Sequence, residues 1–387
     1  MIKNILNNLR LRLRFLVFDK KRLISEFTYL SISNQKKELI RLIELKKFLL
    51  LEKFIITKNK KSLNDLFNHL NKNNFKKIYF IYIYSFLVNI REFKLAKTFH
   101  ELLCKNVKKN SFFYYQICTI NKENISEFKS FSKTIKFFLI YNFLLFEGEK
   151  NYIKTILQLD NNSFEKINNL NKFDNEFKEY IKKKDLCIIG PLDKKINLKK
   201  KEINNSLIIR FKNNNYLRKK ELRTNIIYFN GTTSIEYHKK KNFIKKEEDL
   251  IWLIYIEKNF FNKFYKNDQF KKRFANNTSA FLFTCFSELN LLQKVLLDLY
   301  LFNPKKIKLY NFDIYLSKLY RTGYGKYNLK RKTKKKIQVS FLHNQIIMFD
   351  FINFFYKKKK ILLDKTLKNI ITSGKDKYLY GLEQTWK

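Results

Sequence analysis

The sequence predicts an α/β fold: an all-helical region over residues 1–180, then a Rossmann-like open sheet with covering helices over 184–387. Two observations carry this. Before Gly190 the only glycine is Gly148, and no proline occurs until Pro191. Such a stretch runs from helix to helix and offers few of the positive-φ positions that tight hairpins need. From residue 184 onward the pattern changes to apolar runs of about four residues between polar loops, the size of buried parallel strands.

In the first half, Leu39, Leu42, Ile43, Leu45 and Phe48 make one apolar stripe at helical spacing, and Phe93, Leu95, Ala96, Phe99 and Leu102 make another. Segments 76–90 and 93–105 resemble a helix-turn-helix pair, which would bury its apolar face by stacking on a neighbour. No signature repeats at a fixed period, so a plain helical domain is expected ahead of a solenoid. In the second half, strands are expected at 186–189, 207–209, 226–229 and 307–310. Between the last two, Leu291, Leu292, Val295, Leu296 and Leu299 trace a helix over 290–302. Pro304 and a strand follow it, which makes an α/β crossover of right-handed sense. A further helix is expected over 346–355.

The chain has 81 Lys+Arg against 34 Asp+Glu, a formal net charge of +47. A charge of that size suggests nucleic acid or an anionic membrane surface. The excess is of lysine, however, and accompanies abundant Asn, Ile, Phe and Tyr, residues with A/T-rich codons, so genome bias accounts for much of it. Hydrophobic content of 45% with 17% aromatics is ample for folded cores and excludes global disorder. Cys104, Cys118, Cys187 and Cys285 are widely spaced and read as free thiols, with no zinc site. No secretory signal is apparent. The apolar runs 78–88 and 137–146 fall short of the ~18 residues a spanning helix needs. A cytoplasmic protein is expected, soluble or peripheral to the inner face of the membrane.

The region richest in information is 185–231. It contains CIIGP (187–191), KEINNSLIIRF (201–211) and TNIIYFNG (224–231); a second block spans 287–316, and FLHNQ follows at 341–345. In order and spacing these resemble the large sialylmotif, the small sialylmotif and the catalytic-histidine segment of the eukaryotic-type sialyltransferases, glycosyltransferase family 29, and their bacterial relatives. The resemblance covers about 200 residues, from 184 to the end. Where the family carries R-F-N, this chain reads Arg210-Phe211-Lys212, with Asn213 one place later. The Ser/Thr-Gly turn of the small motif is replaced by Ser287-Glu288-Leu289-Asn290. The resemblance implies a nucleotide-sugar-binding glycosyltransferase domain, a CMP-activated acidic sugar as donor, a glycan acceptor, no cofactor, and His343 as the catalytic histidine.

The chemistry can be followed from the residues themselves. Transfer from a nucleotide sugar passes through an oxocarbenium-like transition state while negative charge gathers on the leaving phosphate. The chain contains no Asp-X-Asp pair, the pattern by which metal-dependent glycosyltransferases hold a divalent ion, so metal-free chemistry is expected. His343 suits a general base because imidazole titrates near neutrality; a helix-capping role is the alternative. Gly190 would let the backbone approach the nucleotide, with Pro191 stiffening the turn. Arg210 and Asn213 belong to the same candidate donor site, as do Asn230 and Gly231 at a strand end. Ser287 and Asn290 precede a helix, where they would cradle a phosphate or simply cap it. Tyr324, between Gly323 and Gly325, falls on a loop before the basic run 330–336.

A function from another class competes: an RNA-binding or organellar ribosomal protein, using the basic tracts 194–201, 330–336 and 357–360 as phosphate contacts. It accounts for the charge but not for three motif blocks in order. In the enzymatic reading nucleic acid is not a partner.

Overall fold

The computed structural model describes residues 59–72, 83–84, 87–88, 91–106, 170–192, 205–211, 224–230, 235, 249–256, 258–264, 270–275, 289–316 and 343–386. Its centre is a seven-stranded, wholly parallel sheet in the order β5-β4-β3-β2-β1-β6-β7. The strands are β1 (Asp185–Ile189), β2 (Ser206–Phe211), β3 (Ile226–Phe229), β4 (Trp252–Tyr255), β5 (Lys271–Phe274), β6 (Lys306–Tyr310) and β7 (Ile361–Leu363). The described helices are α1 (Lys60–Lys72), α2 (Phe93–Asn106), α3 (Lys172–Ile181), α4 (Lys258–Phe264), α5 (Leu291–Tyr300), α6 (Gln345–Lys357), α7 (Lys365–Thr372) and α8 (Lys375–Trp386). The α/β class expected from the sequence is the one observed.

The central strands are mostly apolar because both faces of the sheet are covered, with Asp185, Ser206 and Arg210 as the polar members of β1 and β2. Side chains alternate between faces. On β1, Leu186 and Ile188 enter the main core, while Cys187 and Ile189 pack with Ile208 on the other face. On β3, Ile226 and Tyr228 join the main core, while Ile227 and Phe229 pack with Leu253, Tyr255 and Phe270. Helices α5 and α6 supply the cover over the main face, with Val295, Leu296, Leu299, Phe351, Ile352 and Phe355 fully buried.

Strand β5 reads KKRF and had no apolar signature to betray it. The Arg273 side chain is 2% exposed, and two acids neutralise it. Nη1 and Nη2 donate to Asp298 Oδ2 and Oδ1 at 2.5 and 3.0 Å, and Nε donates to Asp174 at 2.9 Å. Burial alone would pull the guanidinium down, but Asp298 more than offsets it and the net shift is upward. Tyr228 donates to the same Asp298 carboxylate at 2.6 Å, its hydroxyl held well above the usual range by burial and then by that acid. Phe177 and Phe302 lie 4.8 and 4.7 Å from the guanidinium carbon. The cluster joins β3, β5, α3 and α5.

The helical segments before residue 107 share the main core cluster with the sheet. Helix α2 packs on α8, where Lys94 N donates to Glu383 Oε1 at 3.0 Å and Lys97 pairs with Asp376. Of the expected stripe, Phe93, Leu95, Ala96 and Phe99 are buried on α2 and Leu102 is half-buried. The stripe at 39–48 lies outside the described residues. Cys187 is a buried free thiol, whereas Cys104 is disulfide-bonded, which corrects the expectation that every cysteine is free. Among the described residues, no helix is long and apolar enough to cross a membrane.

Candidate functional site

Among the described strands the order reverses between β1 and β6. From β1 the chain builds outward through β2, β3, β4 and β5, then returns to place β6 on the other side of β1. The carboxyl ends of β1 and β6 therefore diverge into different connections, and open α/β sheets bind ligands at such a switch point. Gly190 stands at that position. Its N–H donates to Tyr310 O at 2.7 Å, continuing the β1–β6 ladder by one step. A Cβ on Gly190 would fall 2.3 Å from Asn311 O and 2.8 Å from Phe312 Cδ1. Glycine is thus required by the close approach of β6's exit to β1's. Above it, the Phe211 and Phe312 rings meet at 5.7 Å, linking the exits of β2 and β6.

The β6 exit is the part that sequence reasoning passed over. Asn311, Ile314 and Tyr315 have φ values of 57°, 46° and 70°, a left-handed conformation that is a genuine outlier for a β-branched residue such as Ile314. The strain is held from several sides. Asn311 N donates to Asp364 Oδ2 at 2.7 Å, while the other carboxylate oxygen of Asp364 caps α7 through Leu367 N at 2.8 Å. Leu192 N donates to Asn311 O at 3.2 Å, and Asn311 Nδ2 returns a bond to Leu192 O at 3.4 Å. From α8, Tyr378 OH donates to Ile314 O at 2.7 Å and Thr385 Oγ1 to Leu316 O at 2.8 Å. Backbone strain over-determined in this way concentrates at functional sites. No glycine or proline marks the segment, and only Asn311 and Asp313 carry a turn signal.

The helices leading into β6 and β7 bring two more candidates to the same sheet edge. A crossover helix runs antiparallel to the strands it joins, so its N-terminus opens at their carboxyl ends. Asn290 caps α5: its side chain accepts from Gln293 N at 2.9 Å, and Gln293 Oε1 accepts from Asn290 N at 3.0 Å, a reciprocal capping box. Asn290 Nδ2 also contacts Met348 Sδ, tying the start of α5 to the first turns of α6. His343 is half-buried and directly precedes Asn344, the cap of α6. Asn344 Oδ1 accepts from Ile346 N and Ile347 N at 3.0 and 3.2 Å, and its Nδ2 donates to Tyr84 OH at 2.9 Å. Asn344, not His343, is therefore the cap. Tyr84 in turn packs against His100, ring centroids 5.2 Å apart, so the helical region meets the backbone beside His343.

Of the remaining expected residues, Pro191 follows Gly190 on the β1 exit and is half-buried. Arg210 lies in β2, 8% exposed, opposite Ile189 of β1 and Ile227 of β3. Asn230 follows β3 and is half-buried. Asn213, Gly231, Ser287 and Tyr324 lie outside the described residues. Gly190, Pro191, Arg210 and Asn230 sit on adjacent strand ends, and Asn290 and His343 start the helices that feed the strands beyond the switch point.

No family model and no curated protein sequence matches the chain. Among solved structures, a variant of the sialyltransferase CST-II in complex with CMP is similar at 17% sequence identity and a TM-score of 0.35, over 48% of this chain and 82% of that one.

Proposed function

We propose that the chain is an inverting, metal-independent glycosyltransferase that moves an acidic sugar, sialic acid or a related keto-sugar acid, from a CMP-sugar donor to a cell-surface glycan such as lipopolysaccharide or capsule. The observation that carries the proposal is Gly190. The first apolar run of the motif region ends on it, and it occupies the switch point, where a Cβ would strike the neighbouring backbone. The other motif blocks support it, since Asn290 and His343 open the crossover helices on that same sheet edge.

In this reading the cytidine nucleotide lies over the switch point between β1 and β6, beside the close contact of Gly190 with the Asn311 carbonyl, and Arg210 and Asn230 complete its surroundings. The acceptor hydroxyl loses its proton to His343 as its oxygen attacks the anomeric carbon from the face opposite the phosphate. The new C–O bond forms, the bond to the phosphate oxygen breaks, CMP departs, and the configuration inverts. The helical region over 1–180 and the domain over 184–387 act together, because Tyr84 and Asn344 join the two next to the base.

Release of CMP from a CMP-activated sialic acid tests the reaction directly. Loss of a general base lowers such a rate by about 100-fold or more, so His343→Ala is expected to turn over that much more slowly while still binding CMP. Turnover unchanged in His343→Ala would remove the histidine from the mechanism.

A further inference from the structure

We propose that the amino-terminal edge of the sheet, where β1, β6 and β7 begin, is a docking face for an anionic lipid bilayer. Three stretches far apart in sequence meet there. Lys182, Lys183 and Lys184 lead into β1; Lys305 and Lys306 lead into β6; Lys357, Lys358, Lys359 and Lys360 lead into β7. Strand pairing sets them side by side, with Asp185 opposite Lys306 and Ile307 opposite Ile361, at about 4.8 Å per strand.

The three turns share one geometry. Each helix, α3, α5 or α6, ends in a residue of left-handed φ before its strand: Lys183 at 60°, Asn303 at 48° and Lys359 at 55°. Lys182, Lys183, Lys184, Lys305, Lys306 and Lys359 are all exposed. Glu179 pairs with Lys182 at 3.0 Å, and Asp185 faces Lys308 at 3.7 Å. The described residues leading into β2, β3 and β4, namely 205, 224–225 and 249–251, carry no lysine. Among the described residues the lysines are thus concentrated where β1, β6 and β7 begin, while the exposed Lys271 at the start of β5 pairs with Glu176 at 3.1 Å.

Its chemistry favours lipid over RNA. Lysine ammonium groups are strongly hydrated point charges suited to a diffuse anionic surface. Single-stranded nucleic acid also needs aromatic platforms for its bases. Among the described residues, the exposed large hydrophobic side chains are Ile251, Leu362 and Tyr380, none in these turns. Docking by this edge holds the carboxyl edge about 17 Å from the lipid, the rise of a five-residue strand, with the switch point facing away from it. The inference does not depend on the reaction proposed above.

Co-sedimentation of the full chain with phosphatidylcholine vesicles, with and without phosphatidylglycerol, tests it. Two triple variants of equal charge are compared: Lys183→Glu with Lys305→Glu and Lys359→Glu in the patch, and Lys172→Glu with Lys368→Glu and Lys377→Glu elsewhere. Circular dichroism checks that both fold. At about 1 kcal/mol per lysine near an anionic membrane, the patch variant is expected to bind phosphatidylglycerol vesicles about 100-fold or more weakly, and the control within about 3-fold of the parent, since a diffuse surface charge contributes little. Equal losses in the two variants would overturn the proposal and leave only overall charge. So would binding that is indifferent to phosphatidylglycerol, or a patch variant that loses single-stranded RNA while keeping vesicles.

Discussion

Replacing Asp350 by asparagine should make the protein more stable at neutral pH, although it removes an ion pair. Asp350 lies in the middle of α6 with its side chain 6% exposed, and its Oδ1 accepts from Lys375 Nζ at 2.6 Å. The other carboxylate oxygen, Oδ2, is buried with no hydrogen-bond partner. Burial pushes the carboxyl from its ordinary 3.8 up to about 6, against the opposing pull of Lys375 and Lys97. Desolvation therefore outweighs the ion pair, as it can for buried charges. The sign follows from proton binding. Between 3.8 and 6 the folded state holds the proton more tightly than the unfolded chain, so this stabilisation is full below about 4 and is lost as pH rises through 6. At about 1.4 kcal/mol per pH unit, the charged form at pH 7.5 costs about 3 kcal/mol relative to a neutral one. Asparagine presents a neutral group of the same shape, and Lys375, whose side chain is 24% exposed, can turn to water. Urea unfolding of both proteins from pH 4 to pH 8 measures the difference. The variant should gain up to about 3 kcal/mol over the parent at pH 7.5, with the gap closing towards pH 4. A gap independent of pH, or a variant less stable than the parent at pH 7.5, would refute the reasoning and show that the Lys375 contact dominates.

Gly190→Ala places a methyl group against the Asn311 carbonyl, which is backbone and cannot rotate aside. Overpacking of this kind costs about 1–3 kcal/mol, and the displaced β6 exit should weaken CMP binding by more than the stability loss alone accounts for; an unaltered CMP titration would separate Gly190 from the nucleotide site. Asp298→Asn leaves Arg273 with only Asp174 as a charged partner among those described, and breaking a buried pair this way costs about 3–5 kcal/mol. Chemical denaturation should show that loss, and a change under about 1 kcal/mol would mean the guanidinium finds water.

The sequence made some elements plain and concealed others for identifiable reasons. The runs that became β1, β2 and β3 were visible because strands buried on both faces show mostly apolar side chains, and β6 was visible from Ile307, Leu309 and Tyr310 although Lys306 and Lys308 alternate with them. Helices α5 and α6 were visible from their stripes, and Asn290 and Asn344 occupy their caps as polar residues do. Strand β4, WLIY, carries the same signature as its neighbours, but four apolar residues alone do not separate a strand from a turn of buried helix. Strand β5 was hidden because Arg273 is neutralised by Asp298 and Asp174, both distant in sequence. Strand β7 has only three residues, set directly after four lysines. At the candidate site, Gly190 could be read as a strand-end glycine, but its reason, the Asn311 carbonyl, comes from a segment more than a hundred residues later. The left-handed backbone at Ile314 and Tyr315 is held by Tyr378 and Thr385 from α8, and only Asn311 and Asp313, residues that suit left-handed and turn backbone, hint at it locally. The basic edge was equally hidden, since pairing of β1, β6 and β7 brings its lysines together.

Equilibrium binding of CMP, compared with UDP, GDP and a single-stranded RNA under the same buffer and salt, tests the central claim most directly. The switch-point crevice, read as a cytidine nucleotide site, requires saturable binding of CMP with a thermal shift that neither UDP nor GDP produces. Tight, steeply salt-dependent binding of RNA with no response to CMP would contradict it.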